Sequence, residues 1–293
     1  MAEEVVAVVA ALGAAAIFGS SGVFEYRSAK EVPARGPLEP RLLLDLAHRP
    51  MWLLAMVANL FGVALQIVAL RFGPLALVQP VLVCDLIFAV VISALTIKHR
   101  PPDRIMLAGV VCCAAGLGGF LATAQPHGGK STVSLPAVLP LAAALAAVIF
   151  GCLAVARVAS RNIRPLALAL ACGVTYGVTA FLFKLVSESL SHGFSQPLEQ
   201  WPLYAIAVVG PVGFLLNQSA FQAGILVSPV LAVITVTDPL VSISIAALWL
   251  DESISRGGAG IAVELISLAV MIGGIVALAH RAPQAAKSAP AYR

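Results

Sequence analysis

Two stretches of the chain read alike: DLIFAVVISAL at residues 85–95 and DPLVSISIAAL at residues 238–248. Each opens on an aspartate and continues as an apolar run. The residues before them are apolar as well, so Asp85 and Asp238 fall near the middle of long hydrophobic segments. A charge at the centre of a membrane helix costs about 2.5–3.5 kcal/mol on insertion scales. Chains keep such charges where they face a bundle interior or a wet cavity. The two stretches therefore set the fold class and mark the first place to look for function.

The surroundings agree with a membrane reading. The chain is 60% hydrophobic and 11% charged, with a mean hydropathy of +0.98. Runs of about 20 apolar residues predict an all-α integral membrane protein of about nine transmembrane helices. They fall at roughly 4–26, 51–70, 74–97, 105–124, 137–156, 166–187, 202–223, 226–250 and 258–279. The longest connection is 27–50, which leaves no room for a soluble catalytic domain. Glu3 and Glu4 stand where a signal peptide has its basic region, so the first span is expected to stay. The cysteines, Cys84, Cys112, Cys113, Cys152 and Cys172, all fall inside spans without zinc-type spacing and read as small packing residues.

The net charge of +4 informs topology. Lys and Arg crowd 27–50 (Arg27, Lys30, Arg35, Arg41, Arg49), 98–104 (Lys98, Arg100, Arg104), 157–165 (Arg157, Arg161, Arg164) and the tail (Arg281, Lys287, Arg293). With nine spans these regions share one side. The opposite side has Arg71, Lys130 and Arg256. The positive-inside rule then places the N-terminus outside and the C-terminus in the cytoplasm of a multi-pass plasma (inner) membrane protein. This bias is an insertion signal, and no nucleic-acid partner is expected.

The opening pair belongs to a longer self-similarity at an offset of roughly 150–158 residues. Ala11-Leu12 through Phe18-Gly19-Ser20-Ser21 matches Ala169-Leu170 through Tyr176-Gly177-Val178-Thr179. Ala69 and Gly73 match Ala220 and Gly224, and Gln66 falls opposite Asn217. The predicted organisation is a first repeat at 1–136 (spans 1–4), a linking span at 137–165, a second repeat at 166–280 (spans 6–9) and a polar cytoplasmic tail at 281–293. The first span of each repeat starts on a different side, so the repeats are inverted. Inverted repeats are a common plan of secondary transporters, with the substrate near the midplane.

Polar residues at helical spacing extend the candidate path. Ser228, Thr235, Asp238 and Ser242 share one face of span 8, and Asn59 and Gln66 one face of span 2. Span 7 carries Asn217, Gln218 and Gln222, and span 6 carries Thr175, Tyr176 and Thr179. The same residue types also serve as hydrogen-bonding glue between helices. The candidate substrate-binding or proton-coupling set is Asp85, Asp238, Gln66, Asn217, Asn59, Thr235, Tyr176 and Glu264, with Asp85 and Asp238 as metal ligands. Pro80, Pro211, Pro229 and Pro239 predict interrupted helices around the aspartates. Lys184 and Glu188 read as an i,i+4 ion pair at the interface. Glu25 and Tyr26 close span 1 on the basic side and read as interfacial.

Catalytic patterns are weak. Gly19-Ser20-Ser21-Gly22 fits the loose G-x-S-G of intramembrane serine proteases, but that chemistry needs a buried histidine. His48, His99, His127, His192 and His280 lie in loops or at a span edge. No H-E-x-x-H and no P-loop occurs. The chain is not expected to be an enzyme, and no resident cofactor is expected.

The segment Arg71-Phe72-Gly73-Pro74-Leu75-Ala76-Leu77-Val78-Gln79-Pro80-Val81 resembles the FGP-L-x-L-V-x-P-L stretch of the NIPA-type magnesium transporter family, within the drug/metabolite transporter superfamily. Ser228-Pro229-Val230, Asp238-Pro239-Leu240 and Leu248-Trp249-Leu250-Asp251-Glu252 are similar to the second EamA-type repeat of that superfamily. Where the first repeat usually has a glutamate after its third span, this chain has Lys98-His99-Arg100. The resemblance covers about 8–280. It implies a secondary transporter or facilitator moving a small solute by alternating access, with magnesium as a candidate cargo and a homodimer as a candidate assembly. The alternatives are a proton-coupled exporter of small organic cations or metabolites, and a non-transporting membrane scaffold. The expected partners are the lipid bilayer and a small-molecule or ion substrate.

Overall fold

A computed structural model describes residues 2–36, 38–73, 75–93, 95–96, 104–123, 135–190, 193, 196–225, 227–249 and scattered helical residues between 263 and 274. The described residues are helical, with no strand among them. Among the described residues the α-helices run in the order α1 (Ala2–Lys30), α2 (Arg41–Ala47), α3 (Pro50–Phe72), α4 (Leu75–Leu82), α5 (Asp85–Ser93), α6 (Arg104–Thr123), α7 (Leu135–Val158), α8 (Arg164–Ser189), α9 (Trp201–Ala223) and α10 (Val227–Trp249).

The ends of these helices follow from the sequence. Glu3 and Glu4 begin α1 and Arg27 and Lys30 end it, each sign set against the helix dipole. Proline stands in the first turn of α3, α8 and α9, where its missing N–H costs nothing. Helices α3 and α9 both span 23 residues and stop at a glycine. The Gly73 N–H bonds the Ala69 carbonyl at 2.9 Å, and the Gly224 N–H bonds the Ala220 carbonyl at 2.8 Å.

Packing falls into two similar groups. Helix α1 lies mainly against α3 and α5, and α8 lies mainly against α9 and α10. The groups interlock crosswise, because α1 also touches α9 and α3 touches α8. Matched glycines allow the close approaches. A Cβ on Gly62 of α3 would lie 2.5 Å from the Phe18 ring of α1. A Cβ on Gly213 of α9 would lie 3.0 Å from the Tyr176 ring of α8. A Cβ on Gly19 would lie 2.2 Å from the Asp85 carbonyl, and one on Gly177 2.6 Å from the Asp238 carbonyl.

Polarity is distributed inside-out. Ser21, Glu25, Gln79, Thr175 and Gln218 are buried, while Phe61 is 64% and Phe150 70% exposed. Large apolar faces turned outward suit lipid, and polar groups turned inward satisfy one another. Four helices are long and apolar enough to cross a membrane: Glu3–Lys30, Pro50–Phe72, Arg164–Ser189 and Trp201–Ala223. Shorter apolar helices occur at Leu107–Gly116, Ala142–Val158 and Pro229–Ser242. This is the architecture of an integral membrane protein.

Three local expectations change. The stretch 74–97, read as one span, is divided between α4 and α5 at a turn over Val83 and Cys84. There the Cys84 N–H reaches Val81 O at 3.1 Å and the Leu86 N–H reaches Val83 O at 3.2 Å, the tighter three-residue spacing of a 3₁₀ turn. Helices α9 and α10 run through Pro211 and Pro239 without a break. Those prolines act locally, leaving the Ala207 and Thr235 carbonyls without a helical donor. The connection 27–50 contains α2, whose Leu42 and Leu46 are fully buried. Most of the predicted ninth span, including Glu264, lies outside the described residues.

Candidate functional site

Asp85 is the first residue of α5, and its chain enters there from the turn that interrupts α4. The positive end of the helix dipole favours an acid there, while the Leu86, Ile87 and Phe88 N–H groups are taken up by the Val83 and Cys84 carbonyls. Both carboxylate oxygens accept from the Thr235 hydroxyl of α10, at 3.2 and 3.3 Å. Thr235 is buried, and Asp238 follows it by three residues on the same face. Asp238 stands within electrostatic range of Asp85. Among the described residues its buried Oδ1 has no hydrogen-bond partner. The freed Thr235 carbonyl lies at the same level, so oxygen atoms from both halves collect here.

A second polar centre lies on α1. Glu25 is 1% exposed and is surrounded by neutral donors. Asn59 of α3 donates through Nδ2 to Glu25 Oε1. From α9, Gln218 Nε2 donates to Oε2 at 2.5 Å and Asn217 Nδ2 donates to the same oxygen at 3.3 Å. The indole N–H of Trp52 donates to Gln218 Oε1 at 3.3 Å, and Ser21 Oγ lies 2.5 Å from Asn59 Oδ1. Glu25 follows Gly19 by six residues, so this centre lies about 9 Å along α1 from the Gly19–Asp85 contact, toward the basic end. The Cys172 thiol of α8 donates to Gly213 O at 3.5 Å, and Cys172 and Tyr176 stand within electrostatic range of both Glu25 and Asp238. They sit between the two centres.

Beyond Glu25 the basic end is closed by the segment after α1. The Tyr26 hydroxyl donates to Ile225 O at 2.6 Å, and Lys30 Nζ donates to Gln222 O at 2.6 Å. The Gln222 amide clasps this segment, receiving the Arg35 N–H and donating to Pro33 O, both at 2.9 Å. Arg35 in turn forks onto Asp45 at 2.7 and 2.9 Å, and this hydrogen bonding raises its guanidinium above the ordinary arginine value.

The predicted residues thus divide between two places. Asp85, Thr235 and Asp238 belong to the aspartate level, and Tyr176 stands within electrostatic range of both centres. Asn59 and Asn217 belong to the Glu25 centre, and Gln66 is buried on α3 seven residues beyond Asn59. Thr175 and Thr179 bond carbonyls of their own helix and act as local glue. Lys184 pairs with Glu188 at 3.4 Å as expected, and also donates to Leu70 O at the end of α3. Glu25, read as interfacial, is buried. Its signal in the sequence was Ser21 one turn before it, with Trp52 and Asn59 seven apart on the facing helix. Among the described residues no three His, Cys, Asp or Glu side chains gather to hold a metal. A metal ion at Asp85 and Asp238 would need water or amide and hydroxyl oxygens to complete its shell. A groove of about 400 Å³ between α1 and α3, lined by residues such as Ile17, Phe24 and Leu54, is apolar and separate from the aspartates.

No family model matches the chain, and no solved structure matches it. It is 29% identical over 290 residues to an uncharacterized protein of Corynebacterium glutamicum, covering 98% of this chain and 99% of that one. The likeness runs end to end and carries no functional statement.

Proposed function

We propose that the chain is a secondary transporter or facilitator with nine spans in two inverted repeats, moving a small solute across the inner membrane by alternating access. The N-terminus is outside and the C-terminus cytoplasmic. The supporting observation is the Thr235–Asp85 hydrogen bond, which joins an acid of one half to a hydroxyl of the other, one turn from the second half's own acid. The repeat reading is supported by the paired contacts Gly19–Asp85 and Gly177–Asp238, and Phe18–Gly62 and Tyr176–Gly213. A divalent cation such as magnesium is the favoured cargo. It is hard, takes oxygen ligands and keeps several waters, so two carboxylates can hold it through a partly hydrated shell.

A second reading, a proton-coupled exporter of small organic cations, draws on Tyr176 within electrostatic range of Glu25 and Asp238, since an aromatic ring near a carboxylate suits an organic cation. A scaffold role fits less well. It expects bases on the aspartates, whereas Asp85 is held by Thr235, and Lys184 is engaged by Glu188 and Leu70 O. The test is uptake into liposomes holding the purified chain, with magnesium and a small quaternary ammonium offered separately. Magnesium uptake supports the first reading, ammonium uptake alone selects the second, and uptake of neither removes both.

A further inference from the structure

The Glu25 centre contains a choice of hydrogen bonds that the aspartate level lacks. The Ser21 hydroxyl has one proton and three acceptors in reach: Asn59 Oδ1 at 2.5 Å, Ile17 O at 2.6 Å and Phe18 O at 3.4 Å. If Ser21 donates to Asn59, the amide of Asn59 presents its N–H to Glu25 Oε1 and Glu25 is a carboxylate. If Ser21 donates to Ile17 O, the Asn59 amide turns over. Its N–H then donates to Ser21 Oγ, and its oxygen accepts from a protonated Glu25. The two ends of an amide have nearly the same shape, so both arrangements fit the same space. In both, each of these buried groups keeps a partner.

We propose that Glu25, Asn59 and Ser21 form a proton-binding switch at the basic end of α1, in which uptake of one proton on Glu25 Oε1 turns the Asn59 amide over. The balance is simple: a proton from water joins Oε1, and no covalent bond elsewhere changes. The other oxygen is reserved. Trp52 has only a donor to offer, so it fixes the Gln218 oxygen toward itself and the Gln218 N–H toward Glu25 Oε2. Asn217 donates to the same oxygen. A metal cation at Glu25 would meet those N–H groups head on, so the proton is the ion this centre accommodates.

The neighbours leave the charge of Glu25 to the amides. Helices α3 and α9 face it with neutral Trp52, Asn59, Asn217 and Gln218, and α4 has no ionisable side chain. Cys172 and Tyr176 of α8 stand within its electrostatic range, and the acids on the α5 and α10 helices packed against α1 are Asp85 and Asp238. On α1 itself Tyr26 and Lys30 are engaged by Ile225 O and Gln222 O. Among the described residues no Lys or Arg pairs with Glu25. Its existence as a proton site stands on this geometry, while a coupling role rests on the transport reading above.

The test is pH-difference infrared spectroscopy of the full chain in lipid, following the carboxylic acid C=O band. The expected result is a band that survives in the Asp85→Asn/Asp238→Asn double variant and is lost in Glu25→Gln. The same band should move to higher frequency in Asn59→Leu, where the acid loses its acceptor. Absence of any band removed by Glu25→Gln overturns the proposal. If Glu25→Gln does not fold, a band that Asn59→Leu leaves unmoved overturns it equally. The band without liposome uptake sinks transport and leaves the switch; uptake without the band does the reverse.

Discussion

Thr235 of α10 donates its hydroxyl to the carboxylate of Asp85 at the head of α5, with oxygen–oxygen distances of 3.2 and 3.3 Å. This bond spans 150 residues of sequence and joins the two groups of helices at the level of both aspartates. Among the described residues no base pairs with Asp85, which is what the transport reading proposed above requires of an acid that exchanges a cation.

Thr235→Val keeps shape and removes the donor. A hydrogen bond to a charged group contributes about 1.5–3 kcal/mol. The variant should unfold at lower temperature in detergent and bind cations more weakly, read by calorimetric titration. Unchanged stability would mean that Asp85 finds another donor.

Gly19→Ala and Gly177→Ala press a Cβ against the Asp85 and Asp238 carbonyls, at 2.2 and 2.6 Å. Overpacking of this kind costs about 1–3 kcal/mol. Gly118, with nothing within 4 Å, is the control and should tolerate alanine. Thermal unfolding of the three variants checks the order, with both crossing-point variants below the control.

Gln218→Leu takes a donor from Glu25 and leaves the Trp52 indole without its acceptor. A loss of about 1.5–3 kcal/mol is expected, as for an interrupted hydrogen bond to a buried charge. Indole fluorescence should change along with stability, because Trp52 packs 6.0 Å from Phe214 beside the same cluster.

Gln222→Ala frees the segment around Pro33–Arg35 from the end of α9. Trypsin should then cut at Arg35 faster than in the wild type, with the rest of the chain resisting as before. Equal rates would show that the Arg35–Asp45 fork alone secures the segment.

Much of this arrangement is legible in the sequence because its signals are local. Apolar runs, first-turn prolines and terminal glycines place α3, α8 and α9 within a few residues. The repeat pairs Asp85 with Asp238 because matching residues keep matching order. The break before Asp85 was legible only as a nearby proline, since Pro80, Pro211 and Pro239 look alike in sequence. Pro80 lies beside the turn between α4 and α5, whereas α9 and α10, both packed on α8, run through theirs. The burial of Glu25 is hidden in the sequence for a related reason. Its position one residue from the predicted span end reads as interfacial, but α1 continues to Lys30 and the segment after it folds back over that end. The amides that surround Glu25 come from helices distant in sequence, and no local pattern announces them.

On the transport reading proposed above, Asp85 and Asp238 carry the cargo. Magnesium uptake into liposomes, compared among the wild type, Asp85→Asn and Asp238→Asn at matched protein content, tests it most directly. Uptake by the wild type and at least a tenfold loss in each variant are expected, about 1.4 kcal/mol of binding or more. Uptake that persists at the wild-type rate in both variants would contradict it.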